Sequence, residues 1–137
     1  MSLIPTLKLW LWELGRLGGP AVALERAQAN AQGQVREFME AGGELLFGTD
    51  VGYMTDYDPT DEYVYMQKAG LPYAAILAAL TTAPASRLGA GAQTGQLVVG
   101  LAADVVVLDG DPSQDIRALG RVRATLRNGR IIYRATP

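Results

Sequence analysis

The sequence contains no histidine and no cysteine among its 137 residues. Histidine is the commonest metal ligand and the usual general base near neutral pH, so hydrolytic chemistry here would depend on carboxylates, hydroxyls or a partner chain. The absence of cysteine excludes a disulfide framework and thiolate metal sites, and it is typical of a cytoplasmic protein. No stretch reaches the ~18 consecutive apolar residues of a transmembrane helix, so we expect no membrane partner.

The chain also has almost no excess of one charge sign over the other. The formal net charge is −2, with 19% charged and 49% hydrophobic residues. This composition predicts a globular chain rather than a disordered one. It creates no general attraction to nucleic acid or to acidic lipid. The length fits one domain or part of a larger one.

The first part of the chain alternates between strand and helix patterns. Residues 3–7 are a short apolar run that predicts a buried strand. Residues 21–41 predict a helix, which Gly42 and Gly43 end, and the apolar segment 44–50 predicts the next strand. The helix has apolar residues at spacings of three and four, namely Leu24, Ala27, Ala31, Val35 and Phe38. Helix, glycine turn and buried strand are half of a parallel α/β unit, so the fold class predicted is α/β.

Three shorter helices are predicted after that strand, beginning at Asp58, at Pro72 and near Pro84. From Gly95 onward the pattern changes to short strands, at residues 97–99, 104–108, 121–127 and 130–134. The dipeptide Asn128-Gly129 is the strongest hairpin signal in the chain.

Asp50 is the first candidate for a functional residue. It ends a predicted buried parallel strand, and barrel enzymes place catalytic groups at that position. Gly48 and Gly52 flank it and would let backbone or substrate approach closely. An aspartate at a strand end also commonly caps a helix or forms a turn, and that alternative stays open here.

The acidic segment with Asp56, Asp58, Asp61 and Glu62 suggests calcium at first sight. As an EF-hand loop starting at Asp56, however, it has Asp61 where glycine is required and Gln67 where the bidentate glutamate belongs. Helix capping and solvation therefore explain these carboxylates better than an ion does.

Two further patterns have simpler explanations than ligand binding. Trp10 and Trp12 lie in one apolar stretch, which indicates core or interface packing before an aromatic ligand platform. The arginines after residue 116 alternate with apolar residues, as expected of a strand with one solvent face. Nucleic-acid contact by this basic hairpin is the weaker alternative.

The order of the segments resembles the C-terminal part of the metal-dependent amidohydrolases, near the imidazolonepropionase and Xaa-Pro dipeptidase branch. AGGELLFGTD at residues 41–50 resembles strand 8 of their (β/α)₈ barrel, and residues 4–7 then resemble strand 7. The later segments that resemble the family are residues 69–72, 75–81, 84–85, 87–89, 95–97, 100–108, 111–112 and 128–130. The resemblance covers nearly the whole chain. Its strength lies in the order of these segments along the sequence rather than in any one motif.

This resemblance implies a fold, a domain division and a site. Residues 1–89 would hold the last two β/α units of the TIM barrel, and residues 90–137 the C-terminal strands of the small β-sandwich domain. Family members bind one or two divalent metals, often zinc, and hydrolyse C–N bonds in amides, cyclic amides or dipeptides. Among the family's metal ligands only the strand 8 aspartate has a counterpart, Asp50. In the family that residue binds metal and relays a proton from the attacking water.

The same resemblance implies that this chain alone is incomplete. Barrel strands 1–6 and every histidine ligand are missing, so we expect the isolated chain to bind no metal and to be inactive. The small amide or peptide substrate belongs to the full-length parent. Strands taken from a closed barrel keep unpaired edges, and Trp10 and Trp12 lie in an apolar segment. Both features predict a homo-oligomer. The alternative function is a non-enzymatic, self-associating or binding module built on the same fold fragment.

Overall fold

The computed structural model describes residues 1–136 as a mixed α/β chain, with helices concentrated before residue 88 and strands after residue 104. In chain order the elements are β1 (Ser2–Leu3), α1 (Leu7–Arg16), α2 (Ala21–Glu40), β2 (Glu44–Leu45), α3 (Thr60–Lys68), α4 (Tyr73–Leu80), α5 (Thr82–Arg87), β3 (Val105–Leu108), a 3-10 helix (Ile116–Gly120), β4 (Val122–Arg127) and β5 (Arg130–Arg134). Among residues 1–136, no helix has the length and apolar character needed to cross a membrane.

Strands β1 and β2 form a parallel pair. Ser2 lies opposite Glu44, and Leu3 lies opposite Leu45. A strand in the predicted place after α2 is therefore confirmed, although it is shorter than residues 44–50. Parallel strands share one carboxyl edge, so the segments that follow β1 and β2 emerge side by side.

The predicted strand over residues 3–7 is wrong beyond Leu3, because Leu7 already opens helix α1. Pro5 has no N–H to donate to a sheet, and Thr6 turns into the left-handed region with φ 44°. These two residues end the extended conformation. The apolar stretch with the two tryptophans consequently lies on a helix.

The remaining helices follow their local signals. α2 covers nearly all of the predicted span, and Val35 on its apolar face is buried. α3 ends just before Gly70 and α5 just before Gly89, and both glycines adopt positive φ. α4 begins directly after Pro72. The predictions for these four helices are confirmed.

The C-terminal part forms a three-stranded antiparallel sheet in the order β3–β4–β5. Asn128 and Gly129 connect β4 to β5 with φ 48° and 75°, as the predicted two-residue hairpin requires. The predicted strand at residues 97–99 is wrong, since this exposed segment pairs with no other strand of residues 1–136.

One apolar cluster fills the centre of the chain, with side chains from α1 to α4 and from β2. Ile116 and Leu119 of the 3-10 helix belong to the same cluster. Both segments of the predicted division, residues 1–89 and 90–137, therefore contribute to one core. Pro137, the last residue of the second segment, lies outside the described residues.

Candidate functional site

The carboxyl edge of β1 and β2 carries two unusual backbone conformations. Thr6 follows β1 with φ 44° and ψ 52°, and Asp50 follows β2 with φ 56°. Residues other than glycine seldom adopt positive φ, and for a β-branched residue such as threonine it is a true outlier. Strain of this kind clusters at functional sites, and ligands of open parallel sheets bind beyond the carboxyl ends of the strands. We therefore take this edge as the candidate site.

Gly48 allows the two strand ends to approach each other closely. A Cβ at this position would lie 2.4 Å from Cγ2 of Ile4, far inside normal contact distance. Gly52 differs, because open space surrounds it and its φ of 120° is what favours glycine there. The first glycine thus serves packing against Ile4, and the second serves a turn.

The Asp50 side chain is exposed, while its backbone is held in a turn. Its carbonyl oxygen accepts hydrogen bonds from the N–H groups of Tyr53 at 3.2 Å and Met54 at 3.3 Å. Met54 is buried and ends this turn. The carboxylate therefore projects from a fixed backbone into accessible space at the strand edge.

The side chains of residues 1–136 do not make a complete metal site. Asp50 offers one carboxylate, whereas zinc takes three or four protein ligands. Among residues 1–136, no three acidic side chains lie close enough together to share an ion. The sequence has no histidine or cysteine to add. Any ion held at Asp50 needs most of its ligands from outside these residues.

Asp56 and Asp58 link the segment after Asp50 to two helices. Oδ1 of Asp58 accepts the Thr60 N–H at 2.9 Å at the start of α3, although Pro59 and not Asp58 occupies the N-cap position. Oδ2 of Asp56 lies 2.7 Å from Nζ of Lys8 in α1. The hydrogen bond from Lys8 lowers the pKa of Asp56, and the Asp58 N–H lowers it further.

Glu62 contradicts the prediction that solvent covers this acidic segment, because it is fully buried. Its Oε1 accepts the Leu7 N–H at 2.8 Å and its Oε2 accepts the Lys8 N–H at 2.7 Å. These are the first two N–H groups of α1, which have no partner within their own helix. Burial raises the pKa of Glu62, while both N–H bonds and the Lys8 charge act in the opposite direction.

Lys8 is a buried charged residue of this region that the sequence patterns did not single out. It is only 5% exposed, and its ammonium group contacts both Asp56 and the Asp58 carbonyl oxygen. A helical spacing could have indicated the burial of Glu62, since Met66 and Ala69 follow at four and seven residues and share its apolar face. The hydrogen bond between the Lys8 N–H and Glu62 had no such local signal in the sequence.

The two tryptophans of α1 have different surroundings. Trp12 packs edge-on against Tyr53, with ring centroids 6.0 Å apart at 72°. The Arg16 guanidinium carbon lies 5.7 Å from the centre of the Trp12 ring. Trp10 is 58% exposed. The packing role predicted for the pair is therefore confirmed for Trp12, while Trp10 remains on the surface.

The arginines of β4 follow the predicted exposure pattern. Arg123 and Arg127 are exposed, whereas Val122, Ala124 and Leu126 are partly buried, as is Thr125, which was predicted on the exposed side. This alternation is what one solvent-facing side of a sheet produces. It supplies no separate argument for nucleic-acid binding.

Sequence comparison relates the chain to a known protein family. A family model described as the amidohydrolase family matches residues 13–133. The amidohydrolase tasK of Hapsidospora irregularis is 56% identical over 43 residues, which are 31% of this chain and 4% of that protein.

Structural comparison gives longer matches. A Bifidobacterium longum protein described as a prolidase is 33% identical with a TM-score of 0.78, covering 99% of this chain and 36% of that one. A Xaa-Pro dipeptidase with bound methionine is 24% identical with a TM-score of 0.81, covering 98% and 35%. A prolidase complexed with N-methylphosphonate-L-proline is 26% identical with a TM-score of 0.73, also covering 98% and 35%. The chain thus spans about a third of the length of these solved structures.

Proposed function

The chain belongs to the amidohydrolase family, and on this premise we propose that it is the C-terminal portion of a metal-dependent amidohydrolase. The full-length parent would hydrolyse a C–N bond in a small amide, cyclic amide or dipeptide. The observation that carries the proposal is Asp50 beyond the carboxyl end of β2, an exposed residue with a left-handed backbone. This is a position where barrel enzymes place catalytic groups.

Within this proposal, β1 and β2 with the helices that follow them are the last two units of a (β/α)₈ barrel, in residues 1–89. The sheet β3–β5 belongs to a small β-sandwich domain in residues 90–137. The parallel pairing of Ser2 with Glu44 supports the first assignment, because barrel strands are parallel. The antiparallel β3–β5 sheet supports the second.

The solved relatives support the substrate class that we propose. One of them is a prolidase in complex with a proline derivative, and another is a dipeptidase with bound methionine. A small dipeptide or amide is accordingly the substrate that we assign to the parent. The divalent metal, which we take to be zinc, would receive one ligand from this chain, Asp50. The remaining ligands would come from the rest of the parent, so the isolated chain is inactive.

The experiment compares the chain with a longer protein translated from the same gene. The coding region upstream of Met1 is sequenced, and the extended protein is assayed with Xaa-Pro dipeptides and cyclic amides in the presence of zinc. We expect an in-frame His-x-His upstream, activity only in the extended protein, and a loss of more than about 100-fold in Asp50→Asn. Asp109→Asn, in the exposed turn after β3, is the matched control and should remain active.

A non-enzymatic binding module remains the second candidate because large apolar side chains are exposed. Leu97, Val99 and Ile132 lie on the surface of the C-terminal part, and Trp10 lies on α1. Surfaces of this kind often bind protein. Full activity of the extended Asp50→Asn variant would refute the proposed role of Asp50, and turnover by the isolated chain would refute its proposed inactivity. An upstream region without His-x-His would favour the binding module.

A further inference from the structure

We propose that Lys8 is a positioning residue for Asp50. The segment 50–58, called here the Asp50 loop, is held against one face of α1, and Lys8 provides its main anchor. The inference rests on the proposed function, which places Asp50 at the reaction site. It assigns Lys8 no contact with the substrate, only control over the loop that carries the reacting carboxylate.

The first anchor lies at the far end of the loop. The Lys8 ammonium contacts Oδ2 of Asp56 at 2.7 Å and also donates to the carbonyl oxygen of Asp58. The Lys8 side chain is 7% exposed, compared with 47% for Asp56. An ion pair with one buried partner is screened less by solvent than a surface pair is. The second half of the loop is thus tied to a buried charge on α1.

The second anchor lies near Asp50 itself. The Tyr53 ring contacts Trp12 edge-on, and Trp12 is four residues after Lys8, on the same face of α1. The N–H of Tyr53 donates to the Asp50 carbonyl oxygen at 3.2 Å. Two points of one helix face therefore hold the loop on both sides of the buried Met54.

The face that holds the loop is itself fixed by Glu62. The buried carboxylate of Glu62 accepts the N–H groups of Leu7 and Lys8, which locks the first turn of α1 to α3. The same Lys8 thus meets Glu62 through its backbone and Asp56 through its side chain. Without the ammonium, the buried Glu62 carboxylate would lose a compensating charge, and the loop would lose its anchor.

Amide hydrogen exchange of the full 137-residue chain tests this role. The N–H groups of Tyr53 and Met54 report on the loop because they donate to the Asp50 carbonyl oxygen, and Ile76 in α4 reports on the core. In Lys8→Met we expect exchange at Tyr53 and Met54 to accelerate about tenfold or more beyond any acceleration at Ile76. Lys68→Met, which changes the only other lysine of the chain at an exposed site, should leave all three rates unchanged.

Asp56→Asn provides a second variant, since it removes the same ion pair by changing its more exposed partner. It should accelerate hydrogen exchange at the same two amides. If Lys8→Met does not fold, this variant decides. Unchanged exchange at Tyr53 and Met54 would overturn the proposal. Equal acceleration at Ile76 would also overturn it, because Lys8 would then only support general stability. Exchange requires no substrate, so this result is separate from the outcome of the hydrolysis assays.

Discussion

The Glu62 carboxylate accepts the backbone N–H of Lys8 at 2.7 Å, across 54 residues of chain. A side chain from the first turn of one helix thereby caps the first turn of another. This arrangement joins the segment after β1 to the segment after β2 at the edge where Asp50 lies. It makes the buried carboxylate a direct link between α1 and α3.

Replacement of Glu62 by alanine should destabilise the chain by about 3 kcal/mol. The change leaves the N–H groups of Leu7 and Lys8 without an acceptor in a buried position, and each such group costs roughly 1–3 kcal/mol. Urea denaturation followed by circular dichroism measures the free energy of unfolding. Glu37→Ala, on the exposed side of α2, is the control and should change it by less than about 0.5 kcal/mol. Similar values for both variants would contradict the capping role.

The stability of the chain should depend on pH through Glu62. Because burial raises its folded-state pKa, the folded protein holds this proton more tightly than the unfolded chain does. The stabilisation that comes from this tighter proton binding is therefore fully present below about pH 4.3. It is lost as the pH rises through the elevated pKa of Glu62. Glu62→Gln removes this dependence, while Lys8, Asp56 and Asp58 nearby remain in both proteins. A difference in unfolding free energy between the two that stays constant from about pH 4 to about pH 8 would disprove the shift.

Gly48→Ala should destabilise the chain by about 1–3 kcal/mol, because the new methyl group would overlap Cγ2 of Ile4. The additional change Ile4→Ala removes that atom and should recover part of the loss. Gly33→Ala is the matched control, because a methyl group added at this position of α2 would meet no other atom within 4 Å. Alanine there should stabilise the helix by about 0.5–1 kcal/mol. Thermal melts of these variants and the parent chain give the comparison.

The elements that the sequence predicted are those with local signals. The spacing of apolar residues and the glycines that follow it predict α2. The dipeptide Asn128-Gly129 is by itself enough to predict the hairpin. Helix α1 was missed because its start depends on Thr6, whose left-handed backbone no pattern indicates. The buried role of Glu62 was missed for a related reason. Its partners lie 54 and 55 residues away and meet it only in the folded chain.

The isolated chain should bind zinc weakly, with a dissociation constant above about 1 μM. That value corresponds to roughly 8 kcal/mol, which is more than a single carboxylate such as Asp50 provides. Isothermal titration calorimetry with zinc is the measurement, and Asp50→Asn is the control. Submicromolar binding that disappears in Asp50→Asn would mean that this chain assembles a metal site with ligands not recognised at this edge.

The chain should self-associate at micromolar concentration through α1 and the strand edges. Trp10 is 58% exposed, and the paired strands β1 and β2 have no further neighbour on either side among residues 1–136. Unpaired strand edges and exposed aromatic side chains both favour association. Light scattering at about 10 μM should therefore give a mass above 14.6 kDa, the mass of one chain.

Two charged substitutions separate the surfaces that could mediate this association. Trp10→Lys should lower the measured mass, because a buried unpaired charge at the contact costs several kcal/mol. Tyr133→Lys, at a half-exposed aromatic of β5, should leave the mass unchanged if the contact lies at α1. A reversed result would move the contact to the C-terminal sheet. A monomer in all three proteins, with a cooperative melt, would show that one chain tolerates these exposed surfaces, and the assembly prediction would be wrong.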